Sequence, residues 1–502
     1  MTEIHWAQQA SFPLLAALQL APLLGAALLA LLRSRSWAPY LGQAVAAVEL
    51  GLALALRAVL DTHSPAMQLA ERAPFAGPLN YHAAADGLTV LFVLLSALLT
   101  LLVSAYSAER KLAEPVRLQA TILVTEAVLM SLLVSLNLLW FVLASGIQIA
   151  LVGYLIWRWA SAPEKDAALA RFYHFQGTGL LLLLAGTLVL GWAHADAHGG
   201  RFSFDLADLT GLPISATIGS IAFFLLFYGL AVRTPLFPMH GWLPIVAQHG
   251  NISIGPTFLL GIKIGAYGLL RFVFPVLPEA VDRWDHYAVA FAMTGVFYAA
   301  VLAFLQTDLR RLMAFAVVSH TSLLTIGLFT LRASAFQGAA LLAVNFGLAA
   351  STMLFMVGFV HRRTGTTALS ELGGLFDRLP AIGVAFFVSG LAMIGMPGTP
   401  GFDAVHLVLE ASMARFGALL TIASALGNVL AAGFLLLAFQ RAFLARSPDS
   451  RPDRVLERAT PMESLLALVV ITLQLVAGFY LEPLLDLVEA PLNALGERFM
   501  RL

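Results

Sequence analysis

The sequence of 502 residues contains no cysteine, and charged residues make up only 12% of it. Without cysteine the chain cannot form disulfides, hold a cysteine-ligated iron–sulfur cluster or perform thiol catalysis. Basic and acidic residues are equal in number, 29 of each, so no excess of positive charge points to nucleic acid as a partner. Any electron carrier held by cysteine must therefore lie in another chain.

Apolar residues make up 60% of the chain and recur in long runs. A helix that crosses a hydrocarbon core of roughly 30 Å needs about 20 such residues. The runs predict an all-α polytopic membrane protein with about fourteen transmembrane helices. The first run has no basic region or cleavage pattern, so we expect a retained helix rather than a signal peptide. The predicted helices are 12–32, 38–60, 84–107, 116–136, 138–158, 173–193, 216–234, 254–275, 286–306, 312–331, 335–361, 381–412, 417–444 and 464–484.

Lysine and arginine are distributed unevenly among the predicted connections. Connections after odd-numbered helices hold 18 of these residues, and connections after even-numbered helices hold 7. Cytoplasmic loops accumulate positive charge, so this alternation predicts that the loops with Arg310 and Arg362 are cytoplasmic and that both termini are not. We therefore expect a multi-pass protein of a bacterial inner (cytoplasmic) membrane.

Two membrane segments are interrupted by proline and glycine, in Arg233-Thr-Pro-Leu-Phe-Pro-Met-His-Gly-Trp-Leu-Pro244 and in Gly395-Met-Pro-Gly-Thr-Pro-Gly401. A continuous helix is excluded there, because proline removes a backbone donor and clashes with the preceding turn. Irregular backbone at membrane depth is tolerated only inside protein or beside a watery cavity. Paired breaks therefore indicate an ion site, and the alternative is a re-entrant turn without function.

Lysine is rare, with three residues among the 29 basic ones, and Lys263 lies inside the apolar run 258–269. An ionisable residue at a helix centre costs about 2.5–3.5 kcal/mol in the membrane and so calls for a function. A lysine removed from water gives up its proton more readily and can act as a proton relay. The alternative is an amine that reaches the interface, and the mid-run position of Lys263 argues against it.

Several polar motifs follow one another in a fixed order. They are Tyr81-His-Ala-Ala-Ala-Asp-Gly-Leu-Thr-Val90, Pro235-Leu-Phe-Pro-Met-His-Gly-Trp-Leu-Pro244, Ile262-Lys-Ile-Gly-Ala-Tyr-Gly-Leu-Leu-Arg271, Asp308-Leu-Arg-Arg-Leu-Met-Ala-Phe-Ala-Val-Val-Ser-His320 and Gly395-Met-Pro-Gly-Thr399. From about residue 80 to about residue 445 they resemble the antiporter-like subunits of NADH:quinone oxidoreductase, of the chain M and chain L type. Related families are the membrane subunits of hydrogenase-linked complexes and the multisubunit sodium/proton antiporters.

This resemblance implies two inverted five-helix repeats with broken helices 7 and 12. It divides the chain into N-terminal helices 1–3 (1–110), a first repeat of helices 4–8 (111–275), a second repeat of helices 9–13 (276–445), and helix 14 with a short tail (446–502). It also implies membrane and soluble partner subunits, a lipid bilayer, transported protons, no catalytic site of its own, no cofactor and no metal. The tail after 484 has room for one short amphipathic helix, which favours the M type over chain L with its lateral helix.

The first repeat departs from the family pattern at its ion pair. The family glutamate of the fifth helix falls on Gly146 or Ile147, and the nearest polar side chain, Gln148, cannot titrate. The lysine of the seventh helix is matched by Arg233, which stays protonated and can supply a field but not relay a proton. We expect a fixed charge there instead of a switchable ion pair.

The second repeat departs at two further positions. A histidine of the eleventh helix is matched by Asn345, and the ionisable residue after the second break falls on Val405, flanked by Asp403 and His406. Glu49 and Glu126 are single carboxylates on the apolar second and fourth helices, and Glu126 replaces the lost glutamate only if it faces the bundle axis. The residues expected along a proton or ion pathway are Lys263, His320, Arg233, His240, Asp403, His406, Asn345, Gln148 and Glu126.

Three functions remain open at this point. The first is a proton-conducting, energy-coupling subunit of a complex I-like assembly. An NADH:quinone oxidoreductase-like enzyme is one such assembly. The second is the membrane subunit of a proton-motive-force-coupled inorganic carbon (CO2/bicarbonate) transport complex, whose partner is a zinc-containing, carbonic-anhydrase-like protein. The third is a structural scaffold that conducts nothing. Loss of the fifth-helix glutamate favours the second, and the retained Lys263 argues against the third.

Overall fold

The computed structural model describes residues 2–33, 35, 37–160, 162–250, 263–446 and 456–501. Most of these residues lie in helices packed side by side. The helices are α1 (Leu14–Leu31), α2 (Ala38–Val59), α3 (Gly87–Glu109), α4 (Pro115–Val134), α5 (Leu138–Trp159), α6 (Lys165–Ala197), α7 (Leu206–Leu209), α8 (Ala216–Arg233), α9 (Leu243–His249), α10 (Ile264–Val276), α11 (Pro278–Phe304), α12 (Leu309–Leu328), α13 (Ala333–Thr364), α14 (Pro380–Met393), α15 (Gly401–Phe416), α16 (Ala418–Leu444), α17 (Pro461–Phe479) and α18 (Glu482–Met500).

Among the described residues, twelve helices are long and apolar enough to cross a membrane, namely α1 to α6, α8, α11, α12, α13, α16 and α17. Two shorter apolar helices, α10 and α14, adjoin the two breaks. The prediction of an all-α polytopic membrane protein is therefore confirmed. The first part of the predicted eighth helix, 254–275, falls on 251–262, outside the described residues, so the count of fourteen stays a prediction.

Both predicted breaks are present. Helix α8 ends at Arg233, and a non-helical stretch leads to the short α9, with the Trp242 indole donating to the carbonyl of Val232 at 3.0 Å. Helix α14 ends at Met393, and α15 begins only at Gly401. Between α14 and α15 the backbone turns through glycines with positive φ, 68° at Gly395 and 85° at Gly398, a region that side chains with a Cβ rarely adopt.

A small sheet that the hydropathy pattern did not predict packs beside the helices. Its strands are β1 (Glu3–His5), β2 (Met67–Ala76) and β3 (Leu79–Ala85), with β1 parallel to β2 and β2 antiparallel to β3. The predicted start of the third helix at 84 is therefore wrong. Strand β3 continues to Ala85 because it pairs with β2, and α3 begins after Asp86, whose carboxylate caps it by accepting from Thr89 N at 2.9 Å.

The arginine-rich connections lie on one face of the molecule. Arg362, near the end of α13, donates to the carbonyl of Glu109 at the end of α3 over 3.2 Å. Arg158, near the end of α5, forms an ion pair with Glu114 in the loop that follows α3. Loops after odd-numbered predicted helices therefore contact one another, as the alternation of positive charge requires. We call this surface the arginine face.

The short amphipathic tail helix predicted over 485–502 is confirmed as α18, on the opposite face from the arginine face. Its backbone approaches the first residue of α3 so closely that a Cβ on Gly87 would lie 1.5 Å from the carbonyl oxygen of Leu487. Its Arg498 donates to the carbonyl of Pro275, near the end of α10, at 3.1 Å. Helix α18 thus ties the start of α3 to the end of α10.

Candidate functional site

Lys263 lies immediately before the first residue of α10, inside the bundle, and is 4% exposed. Its Nζ is 5.5 Å from the centre of the Phe346 ring on α13, within the range of a cation–π contact. The same ring meets the imidazole of His320 on α12 edge to face, with ring centres 4.8 Å apart. One phenyl ring thus contacts both the amine and the imidazole, and we call these three side chains the Lys263 row.

The imidazole of His320 is oriented by its own helix. Its Nδ1 is 2.8 Å from the carbonyl oxygen of Ala316, and because a carbonyl can only accept, Nδ1 carries the hydrogen. Nε2 has no hydrogen-bonding partner among the described residues. In the neutral tautomer that this bond selects, Nε2 keeps a free lone pair and is the atom that can receive a proton.

Asn345, the residue before Phe346, stabilises the second break. Its amide donates to the carbonyl of Ala392 at 2.8 Å, and Asn428 of α16 donates to the carbonyl of Ile394 at 2.7 Å. Both carbonyls lie at the end of α14, where the helical hydrogen bonds stop. Asn345 is therefore placed to hold the broken helix.

Arg233 lies at the first break, as the last residue of α8, and is 5% exposed. Its Nη2 donates to Oε1 of Gln148 on α5, while its Nε and Nη1 have no partner among the described residues. The two residues predicted from the altered ion pair therefore meet. A neutral amide replaces the carboxylate that a buried guanidinium usually contacts.

His240 lies within the first break and is 6% exposed. Its ring is stacked with Phe237 at 5.8 Å and meets Tyr298 of α11 at 5.3 Å, while Nδ1 has no partner among the described residues. Helix α10 packs tightly against the same break, since a Cβ on Gly265 would fall 1.6 Å from Thr234 Oγ1. The first break and the start of α10 are therefore in direct contact.

Three other predicted residues are not brought to the Lys263 row. Asp403 and His406 are exposed on α15. Glu126 is fully buried, but its carboxyl faces Glu49 of α2 and Thr100 of α3 rather than Arg233. Sequence alone did not predict that the two glutamates lie near each other.

The sequence motifs contain one further buried ion pair, Asp86 and Arg271, which was not among the predicted pathway residues. Arg271 of α10 binds Asp86 through two bonds of 2.9 and 2.5 Å, and it also donates to Thr89 Oγ1 and Tyr267 OH. Asp86 stands in the first polar motif and Arg271 ends the third. Their presence in two motifs with apolar neighbours is the signal that could have identified the pair.

A bundle of transmembrane helices with two broken members, and a buried lysine and histidine near the breaks, defines an antiporter-like membrane subunit. The chain belongs to the NADH:quinone oxidoreductase/Mrp antiporter transmembrane family, whose model matches residues 135–431. It is thus an antiporter-like subunit of the kind found in complex I and Mrp-type assemblies.

Individual relatives agree with this assignment. NADH-quinone oxidoreductase subunit M of Escherichia coli (strain K12) is 28% identical over 432 residues, which are 84% of each protein. In the structure of respiratory complex I from Thermus thermophilus with bound NADH, the matching chain is 25% identical, with a TM-score of 0.85 over 97% of this chain and 99% of that one. A chain of the Mrp complex from Dietzia sp. DQ12-45-1b shares the fold, with a TM-score of 0.87 over 98% and 99% at 19% identity. These relatives act in multisubunit complexes, so this chain has partner subunits.

Proposed function

We propose that this chain conducts protons as an energy-coupling, M-type subunit of a complex I-like assembly in a bacterial inner membrane. The observation that supports this most strongly is the Lys263 row, in which an amine and an imidazole inside the membrane contact the same phenyl ring. A relay needs at least two groups that can each hold a proton. Lys263 and His320 are two such groups, and they are placed at helices from both halves of the chain.

Within this proposal Lys263 holds the proton and His320 receives it. The Phe346 ring favours the charged amine over the neutral one, so a movement of the ring would change the proton affinity of Lys263. Nε2 of His320 has its lone pair free to accept. A conformational change that alters the contact between Lys263 and Phe346 would load and unload one proton per cycle.

Arg233 and Gln148 have a different role in the proposal. Guanidinium does not release its proton at physiological pH, and an amide does not titrate. The first break therefore contributes a fixed positive charge near the start of α10, and the relay depends on Lys263 and His320.

The Lys263→Met variant tests this function. Methionine keeps the apolar stem and removes the amine, so the variant should assemble normally while coupled proton transport in native membranes is lost. The matched control is Lys111→Met, which replaces an exposed lysine and should transport at the normal rate. Normal transport in Lys263→Met, with assembly intact, would contradict the proposal and favour the scaffold function.

The second candidate is the membrane subunit of an inorganic carbon transport complex. The specific observation in its favour is that Arg233 contacts Gln148 instead of a glutamate. Purification of the native complex in mild detergent and identification of the co-purifying chains separates the two candidates. Quinone-site and iron–sulfur subunits support the complex I-like assembly, whereas a soluble zinc-containing, carbonic-anhydrase-like protein supports carbon transport.

A further inference from the structure

Two buried carboxyl groups lie away from the Lys263 row, between α2, α3 and α4. Glu49 of α2 and Glu126 of α4 are both 0% exposed, and none of their four oxygens has a hydrogen-bonding partner among the described residues. Neither forms an ion pair with a described basic side chain. The hydroxyl of Thr100 on α3, also 0% exposed and without a partner, faces the Glu126 carboxyl.

Helix geometry brings these groups to one level. Near their starts on the arginine face, α2 and α4 touch where a Cβ on Gly42 would lie 2.9 Å from Gln119 Cβ. Both helices run away from that face. Glu49 and Glu126 follow Gly42 and Gln119 by seven residues each, which is about two helical turns along the same side of each helix. Thr100 lies on the antiparallel α3 between them. The two carboxyls and the hydroxyl therefore lie at one level of the bundle, with the two carboxyls near enough for their charges to interact.

This arrangement is unfavourable for two negative charges. An uncompensated charge in the interior of a membrane protein is costly, and two nearby carboxylates also repel each other. Two other buried acids of the chain have a cation, since Asp86 has Arg271 and Glu463 has Arg363. A pair of carboxyls without a cation is stable when at least one of them carries a proton.

A polar route leads from this pair to the arginine face. Gln119, two turns from Glu126, accepts from Ser104 Oγ at 2.6 Å and donates to Ser107 Oγ at 3.0 Å. Ser107 stands two residues before the end of α3 at Glu109. Hydroxyl and amide groups thus continue from the end of α3 toward the carboxyls, through a layer that is otherwise apolar.

We propose that Glu49 and Glu126 form a proton-binding site that is loaded from the arginine face through Ser107, Ser104 and Gln119. The site lies between α2, α3 and α4, outside both broken helices, and it does not depend on Lys263. Its ligand is a proton held by the two carboxyl groups together, with the Thr100 hydroxyl beside them.

Infrared spectroscopy of the purified complex at neutral pH tests the site, because a protonated carboxyl has its own carbonyl stretching band. Glu49→Gln and Glu126→Gln keep the side-chain shape and should each shift the frequency of this band, and the double variant should remove it. The control, Glu114→Gln, replaces an exposed glutamate that is paired with Arg117 and Arg158, and it should leave the band unchanged. An unchanged band in the double variant, with normal assembly, would overturn the proposal.

Transfer of the complex into D2O tests the route. The band of the pair should shift as deuterium replaces the shared proton, and Ser104→Ala should slow the shift several-fold without removing the band. Equal exchange rates in Ser104→Ala and the unmodified protein would overturn the route. A band that appears only when sodium is withdrawn would identify a cation site and overturn the proton site. These results are independent of the transport activity that Lys263 is proposed to support.

Discussion

At the scale of single residues, Arg233 is a cation that is buried against an amide instead of a carboxylate. Its Nε and Nη1 have no hydrogen-bonding partner in the part of the chain that the structure describes. A hydrogen bond to a charged group contributes about 1.5–3 kcal/mol to stability. Removing one partner of a buried ion pair can cost more stability than this. Arg233 is therefore suited to supply a constant field.

Replacement of Arg233 tests this role. Arg233→Gln should reduce coupled transport at least about tenfold, equivalent to about 1.4 kcal/mol, because the fixed charge near the start of α10 is lost. Arg233→Lys keeps a positive charge and a donor for Gln148 and should retain more activity. Transport rates in membrane vesicles, with assembly measured in parallel, provide the comparison. Arg117→Gln, at an exposed arginine of α4, is the control, and normal assembly and transport in Arg233→Gln would exclude the electrostatic role.

The residue types of the candidate site could be predicted from sequence, but the directions of their side chains could not. Lys263, His320 and Arg233 are buried as expected, whereas Asp403 and His406 are exposed and Glu126 faces Glu49. In a membrane protein both the lipid-facing and the buried sides of a helix are apolar, so hydrophobic periodicity does not mark the inner face.

At the scale of helices, the start of α10 is fixed by its contact with the first break. Gly265 lets the backbone of α10 approach Thr234 and the carbonyl of Leu230, and a Cβ there would meet these atoms at 1.6 and 2.5 Å. Because Lys263 is two residues earlier, the position of its amine depends on this contact.

The Gly265→Ala variant should displace the start of α10 and reduce coupled transport. Overpacking of this kind costs about 1–3 kcal/mol, and the loss of stability should appear as a lower midpoint of thermal unfolding of the purified complex. Gly51→Ala is the matched control, since Gly51 lies within α2 and a Cβ there meets nothing within 4 Å. If Gly265→Ala had the stability and transport rate of Gly51→Ala, tight packing at this break would not position Lys263.

Helices were predicted better than strands for a physical reason. A long apolar run has few alternatives to a transmembrane helix, and proline clusters mark breaks wherever they occur. Strand β3 ends in Ala83, Ala84 and Ala85 directly before α3, so hydropathy alone merges the two. Only its pairing with β2, a contact between segments, separates strand from helix.

At the scale of the whole molecule, the arginine face should be cytoplasmic, with both termini on the other side. The absence of cysteine makes single-cysteine labelling straightforward. We expect Ser370→Cys, in the loop after α13, to react only with reagents that reach the cytoplasm. Ala197→Cys, at the exposed end of α6, should react from outside. If the loops that contain Arg310 and Arg362 were labelled from outside, the predicted topology would be wrong.

The most direct test of the central claim is proton transport by the purified complex, reconstituted into vesicles, with Lys263→Arg in place of the native lysine. Arginine keeps the positive charge beside Phe346 but does not release its proton at physiological pH. If Lys263 is a relay, this variant should assemble normally and transport almost no protons, as Lys263→Met should. Transport at the native rate in Lys263→Arg would contradict the claim and leave Lys263 a structural charge.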